Sequence, residues 1–310
     1  MLARRLLFVT GKGGVGKTTI AAALGLLAAR EGLRTLVCEV DAKGDLPAAL
    51  EAGEVGFTAR ELEPRLFAMA MDTEESLKEY LALHLHLPRL SRLGPLARTF
   101  EFLANAAPGV KEILTVGKLA WEVRERHYDL VVVDAAASGH VVGQLRAPQA
   151  INELLSVGLV REQTDWMIDL LTDPATTGVV IVAAPEEMPV TESLELVDHL
   201  DSTGVDLAGV VVNRVLPELF GRAEEEVFAR LVEPAASTAL SGAVGHPVDR
   251  ILGAARLAVT LRRTRAAHLA RLRQGLGPGR TVLYVPELFD RGHGRRATVQ
   301  VAEALAAELS

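Results

Sequence analysis

A mostly parallel α/β sheet flanked by helices is predicted by three features of this 310-residue chain. Short apolar runs alternate with stretches of helical periodicity, the pattern of parallel strands joined by crossover helices. Several runs, among them Leu6-Leu7-Phe8-Val9 and Val131-Val132-Val133, are apolar without alternation, as strands covered on both faces must be. The first run opens directly into a glycine-rich turn followed by a helical stretch, the local order of a phosphate-binding P-loop NTPase fold.

Taken in order, strands are expected at Leu6–Thr10, Thr35–Asp41, Leu66–Met71, Tyr128–Asp134, Gly178–Ala184, Leu207–Asn213 and Thr281–Val285. The helix after the first strand should run to about Glu31 and stop at Gly32, which can take the left-handed conformation of a helix C′ residue. Two stretches break the alternation: residues 73–126, interrupted at Pro88, Pro95 and Pro108-Gly109, and residues 217–275. Both read as helical insertions on the same edge of one domain spanning 1–310. The segment Gly275-Leu276-Gly277-Pro278-Gly279 then returns the chain to the last strand.

Composition narrows the function classes. Hydrophobic residues make up 49% and charged residues 24%, enough for a sizeable core and a solvated surface. Lys plus Arg is 33 against 40 Asp plus Glu, a net charge of -7. A mildly acidic surface argues against nucleic acid or an anionic membrane as the main partner. No run approaches the roughly 18 apolar residues of a membrane span, which leaves only peripheral membrane contact. Met1-Leu2-Ala3-Arg4-Arg5 with Leu6 to Val9 reads as a first buried strand, because the apolar stretch is too short for a signal peptide and no small-residue cleavage site follows. The single cysteine, Cys38, can form neither an internal disulfide nor a cysteine zinc site and reads as core packing, a composition suited to a reducing cytoplasm.

The chemistry concentrates in Gly11-Lys12-Gly13-Gly14-Val15-Gly16-Lys17-Thr18, followed by Thr19, which fits G-x-x-x-x-G-K-[ST] between a strand and a helix. Glycines let the backbone turn so that successive N–H groups face phosphate oxygens, and the helix N-terminus adds positive charge. ATP or ADP with Mg²⁺ is the expected ligand, with Lys17 on the β- and γ-phosphates and the Thr18 hydroxyl on the metal. Asp41, just past the second strand, can orient an attacking water and contact the Mg²⁺ shell, while Asp45 reads equally as a loop-forming aspartate. The apolar strand ending in Asp134 is a Walker B pattern, placing that carboxylate on Mg²⁺ through water.

The residues after Asp134 include Ser138-Gly139-His140, a candidate switch with Gly139 as hinge; His140 alone would read as a solvated loop histidine. Asn213 ends another strand, and its amide both donates and accepts, matching an adenine edge. Backbone around Pro286, at the end of the last strand, could flank the base. His84-Leu85-His86 reads as a surface helix rather than a metal site, and Glu224-Glu225-Glu226 as a solvent face. Arg256, Arg262, Arg263, Arg265, Arg271 and Arg273 interleave with Leu257, Leu261, Leu269 and Leu272, an amphipathic helix with a solvated basic face.

Lys12 carries a more specific signal. Lys-Gly-Gly-x-Gly-Lys-Thr-Thr resembles the deviant Walker A motif of the MinD/ParA and ArsA group of ATPases. That resemblance implies that the early lysine of one subunit reaches the phosphates bound by the other, an arginine finger in trans, so that hydrolysis requires a dimer. Outside the loop the chain is similar to the ArsA/tail-anchored-protein-targeting family, with Ser138-Gly139-His140 matching its Thr-Gly-His. Leu66 to Met71 followed by Asp72-Thr73-Glu74-Glu75-Ser76-Leu77 resembles its strand-then-helix leading to the helical subdomain, and Pro108-Gly109-Val110-Lys111-Glu112 resembles its Pro-Gly-x-x-Glu segment.

The look of the whole chain, including Ala184-Pro185-Glu186-Glu187-Met188-Pro189, is similar to bacterial, especially actinobacterial, anion-transporting ATPases. The resemblance implies ATP hydrolysis coupled to rearrangement of helical client-binding regions, in a homo-dimer or a hetero-dimer with a related ATPase. A positioning ATPase of the MinD/ParA type and a nucleotide-binding subunit of a hetero-dimer are the other readings. The chain departs from the family in lacking metalloid-binding cysteines and a Cys-x-x-Cys pair. It also reads Asp41-Ala42-Lys43 where the family has Asp-Pro-Ala.

Overall fold

The computed structural model describes residues 1–41, 43–85, 109–154, 159–218, 221–289 and 294–310. Pro88, Pro95, Pro108, His86 and Ala42 lie outside them. The chain begins with strand β1 (Leu6–Gly11), helix α1 (Lys17–Arg30), β2 (Thr35–Glu39), α2 (Asp45–Leu50), β3 (Arg60–Glu63) and β4 (Leu66–Ala70). Next come α3 (Thr73–Leu85), α4 (Val110–Arg124), β5 (Leu130–Asp134), α5 (Ser138–Leu154), α6 (Leu159–Thr172), β6 (Thr177–Ala183), α7 (Glu187–Asp201) and β7 (Leu207–Val215). The chain ends with α8 (Arg222–Leu231), α9 (Pro234–Val244), α10 (Asp249–Leu276), β8 (Val282–Pro286) and α11 (Arg295–Leu309).

The strands form one eight-stranded sheet in the order β3-β4-β2-β5-β1-β6-β7-β8, parallel except for β3 against β4. Every residue of β1, β2, β5 and β6 is buried, as continuous apolar runs require when helices cover both faces. Side chains alternate between the faces. Leu7 and Val9 pack with α1, α2 and α11, whereas Leu6 and Phe8 pack with α4, α5 and α7. Cys38 lies wholly buried in the second layer, and burial pushes its thiol pKa up, so it is core as expected.

All seven expected strands are present, with shifted ends. β2 stops at Glu39 rather than Asp41, and β8 starts and stops one residue late. β3 is an addition: Arg60-Glu61-Leu62-Glu63 is short, polar and irregular in register, and it pairs on one side only. α1 ends as expected, with Gly32 at φ 93°, Gly32 N–H donating to Ala29 and Leu33 N–H donating to Ala28, a Schellman closure. The two helical stretches leave the sheet from the C-terminal ends of β4 and β7.

In open parallel sheets, ligands bind outside the carboxyl ends of strands where the chain reverses its direction of winding. Here β1 is flanked by β5 and β6, and β2 lies beyond β5. The register puts Val9 beside Asp134 and Asp134 beside Glu39. The ends of β1, β5 and β2 therefore share one crevice.

Candidate active site

The loop between β1 and α1 is shaped by glycines that no other residue could replace without strain. Gly16 lies at φ 94°, in the left-handed region, and a Cβ there would stand 2.4 Å from Asn213 Nδ2. Gly11 faces the Val182 carbonyl, which a Cβ would meet at 2.1 Å. Around Gly13 and Gly14, by contrast, there is open space on the pocket side. Val15 anchors the loop from below: its side chain is buried, and its carbonyl accepts a 2.8 Å hydrogen bond from Asn213 Nδ2.

The resulting cavity, about 340 Å³, is lined by Gly13, Gly14, Gly16, Lys17 and Thr18 of the loop and α1, together with Glu39, Asp41, Lys43, Asp45 and Asp134. Lys17 Nζ lies 3.4 Å from the Lys12 carbonyl, and its ammonium pKa is lowered, first by burial. Thr18 Oγ1 donates to Asp134 Oδ2 at 2.7 Å. Asp41 is exposed and pairs with Lys43 at 3.3 Å. Thr10 Oγ1 donates to the Ala136 carbonyl at 2.8 Å, fastening the segment that leads to Ser138-Gly139-His140 at the start of α5. Gly139 and His140 are exposed. Thr19 lies in the first turn of α1 and Pro286 is exposed at the end of β8.

Three placements were not legible beforehand. Asn213 is buried with both ends of its amide engaged by backbone, Nδ2 on Val15 and Oδ1 on Arg214 N–H, so it supports the glycine loop from behind. Glu192 on α7 accepts an ion-paired hydrogen bond from Lys12 Nζ and one from Ser138 Oγ at 3.3 Å. A glutamate on an ordinary polar helix face, 180 residues from Lys12, carries no sequence signal. Glu39, the last residue of β2, is also buried at the pocket; its one signal was a charge closing an apolar run.

Burial pushes the Asp134 carboxyl up to about 6, with Glu39 and Asp45 adding to the rise and the Thr18 hydrogen bond and Lys17 charge opposing it. The consequence for stability has a definite sign. Between the ordinary value of 3.8 and about 6 the folded chain holds a proton at Asp134 that the unfolded chain has released. Stability of the ligand-free protein therefore falls as pH rises through that window, by on the order of 3 kcal/mol for this group. Thermal melts of the wild-type chain and of Asp134→Asn should diverge from pH 4 to pH 7, with the variant becoming relatively more stable. Parallel curves would contradict the assignment.

A buried carboxyl group bonded to a threonine hydroxyl, in one pocket with a glycine loop and a lysine, suits an anion and a divalent cation together. Among the described residues no group of three His, Cys, Asp or Glu side chains is arranged to hold a metal by itself. Mg²⁺ does not need one, since it commonly takes one or two carboxylates and completes its shell with phosphate and water.

Fold and pocket together define a nucleotide-binding protein of the P-loop class. The chain belongs to the anion-transporting ATPase family, whose sequence pattern matches residues 4–164 and 155–228, and it is an ATPase. The ATPase BagA of Mycobacterium tuberculosis is 33% identical over 253 residues, covering 76% of this chain and 74% of that relative. The ATPase GET3 of Podospora anserina is 25% identical over 249 residues, covering 68% and 73%. The ATPase ASNA1 homolog of Entamoeba dispar is 24% identical over 251 residues, covering 68% and 76%.

Proposed function

We propose that this ATPase hydrolyses ATP to ADP and phosphate with Mg²⁺ in a dimer, with a second copy or a related ATPase, and that turnover repositions helical regions that bind a client. One observation carries the dimer: Lys17 serves the chain's own pocket, whereas Lys12 is not among the residues lining it and turns to Glu192. A cation placed at the mouth of a phosphate site but outside it is suited to the neighbouring subunit's nucleotide.

Within the pocket, Gly11 to Thr19 would hold the phosphates, Lys17 would neutralise the β- and γ-oxygens, and Thr18 with Asp134 would hold Mg²⁺, which screens phosphate charge. Asp41 would orient the attacking water. Asn213 and Pro286 would border the base, Asn213 while keeping its grip on Val15.

Coupling to a client has a physical route. α5 begins at Ser138 beside the pocket, and Ile151 near its far end lines a second, apolar cavity of about 260 Å³ with Leu77, Tyr80, Ile113, Trp121 and Met167. A shift of Ser138-Gly139-His140 would travel along a helix roughly 20 Å to Ile151. The chain would thus act as one ATPase domain over 1–310 with insertions at 73–126 and 217–275.

The positioning-ATPase reading has less to stand on, because the basic helix is engaged by its own chain. Arg262 donates to the Leu216 carbonyl, Arg263 and Arg265 pair with Glu225 and Glu287, Arg271 donates to Thr191 and Arg273 to Tyr284. No helix among the described residues is long and apolar enough to cross a membrane, and we place the enzyme in the cytoplasm.

Phosphate release from ATP by the purified chain tests the reading. Specific activity should rise with protein concentration as dimers form and should disappear on chelation of Mg²⁺. Turnover independent of both would overturn it.

A further inference from the structure

The loop after β2, which carries Asp41, lacks the proline that would stiffen it and instead reads Asp41-Ala42-Lys43-Gly44-Asp45. Ordering backbone costs conformational entropy, most of all at glycine, before a carboxylate can be held over a reacting phosphate. Glu39 bonds to the far end of this loop. Glu39 is 3% exposed and sits on a strand bonded on both sides, so its position is fixed by the sheet. Its Oε1 accepts from Asp45 N–H at 2.9 Å and its Oε2 from Gly44 N–H at 3.3 Å.

Each carboxylate oxygen thus grips one amide at the far end of the loop. Gly44, at φ 81°, turns the two N–H groups inward. A charged group bonding to N–H donors forms stronger hydrogen bonds than a neutral acceptor does. The same carboxylate borders the nucleotide pocket, one strand from Asp134.

Simple capping of α2 is a weaker account. That helix has six residues, and Leu46 and Leu50 already bury its inner face. A neutral Ser or Asn N-cap in extended backbone would serve such a helix without placing a charge at the buried end of a central strand.

We infer that Glu39 is a positioning residue for hydrolysis: its carboxylate clasps the Gly44 and Asp45 amides and so holds Asp41 over the γ-phosphate position. The inference rests on the reading of Asp41 as the residue that orients water. Both carboxylate oxygens of Glu39 bond to the loop, so its loss should reduce turnover far more than affinity. A displacement of about 1 Å in a positioned group costs on the order of 100-fold.

The test uses the full chain with Glu39→Gln, Glu39→Ala, Asp41→Asn and the Glu39→Ala/Asp41→Asn double variant. Turnover, affinity for a fluorescent ATP analogue and amide hydrogen exchange are measured for each. Glu39→Ala should lower kcat by roughly 10- to 100-fold with affinity within about threefold, and should speed exchange at Gly44 and Asp45 but not in α1. Glu39→Gln, isosteric and keeping one acceptor oxygen, should fall between wild type and Ala. In the double variant the loss should be no greater than in Asp41→Asn alone.

Unchanged kcat in both Glu39 variants, unaltered exchange at the two amides, or a loss seen only in affinity would overturn the inference. Full turnover in Asp41→Asn would instead defeat the reading of Asp41 and with it the catalytic half of the inference. The exchange data would then report separately on the clasp.

Discussion

Lys12→Ala should bind ATP within a few-fold of the wild-type affinity and yet turn it over about 10³–10⁵ times more slowly, the range for loss of a cationic finger. The separation follows from where the two lysines sit. Lys17 lines the chain's own cavity, so its removal weakens binding; Lys12 lies outside that cavity and ion-pairs with Glu192. In the proposed dimer its ammonium would meet charge that develops as the γ-phosphoryl group departs, an interaction realised in the transition state more than in the ground state. Equilibrium binding of a fluorescent ATP analogue, set beside phosphate release at saturating ATP, measures the two quantities independently. Equal losses in both would place Lys12 in its own subunit's ground-state binding.

Asp134→Asn is expected to move stability and activity in opposite directions. The wild-type carboxylate is buried and reluctant to ionise, so the neutral amide removes a burden from the ligand-free fold while still able to accept from Thr18 Oγ1. The same change removes the charge that would hold Mg²⁺, and turnover should fall by about 10²–10³ or more, the scale of losing one preorganised electrostatic partner. Excess Mg²⁺ should recover part of that loss. A higher melting temperature at neutral pH together with reduced, Mg²⁺-responsive turnover would be the signature of a site that keeps a strained carboxylate for function. A destabilised variant would show instead that Asp134 is chiefly structural.

Much of this arrangement could be read from residues alone because its elements are local. Unbroken apolar runs mark strands buried on both faces, and the glycine loop is contiguous, so β1, β2, β4 to β8 and the segment Gly11 to Thr19 were visible. β3 was not, since Arg60-Glu61-Leu62-Glu63 buries little and bonds on one edge, leaving no hydrophobic period to detect. Long-range pairings were hidden for a different reason. The identity of Asn213 suggested hydrogen bonding, but that its partner is the Val15 carbonyl depends on β7 standing two strands from β1. Strand order likewise decides that Glu39 faces Asp134, and helix packing that Glu192 meets Lys12 and Ser138. Residue types advertise chemistry; only topology assigns the partners.

The most direct measurement is subunit complementation between Lys12→Ala and Lys17→Ala. Each variant alone should be nearly inactive, the first lacking the cation for its neighbour and the second lacking its own phosphate grip. Mixing them should form dimers in which one pocket has an intact Lys17 from its own chain and an intact Lys12 from the other. The account predicts that phosphate release reappears on mixing, rises with the fraction of mixed dimer and is lost when a Lys12→Ala/Lys17→Ala chain replaces either partner. Mixtures no more active than the sum of the separate variants, under conditions where mixed dimers are shown to form, would contradict a lysine that acts across the interface.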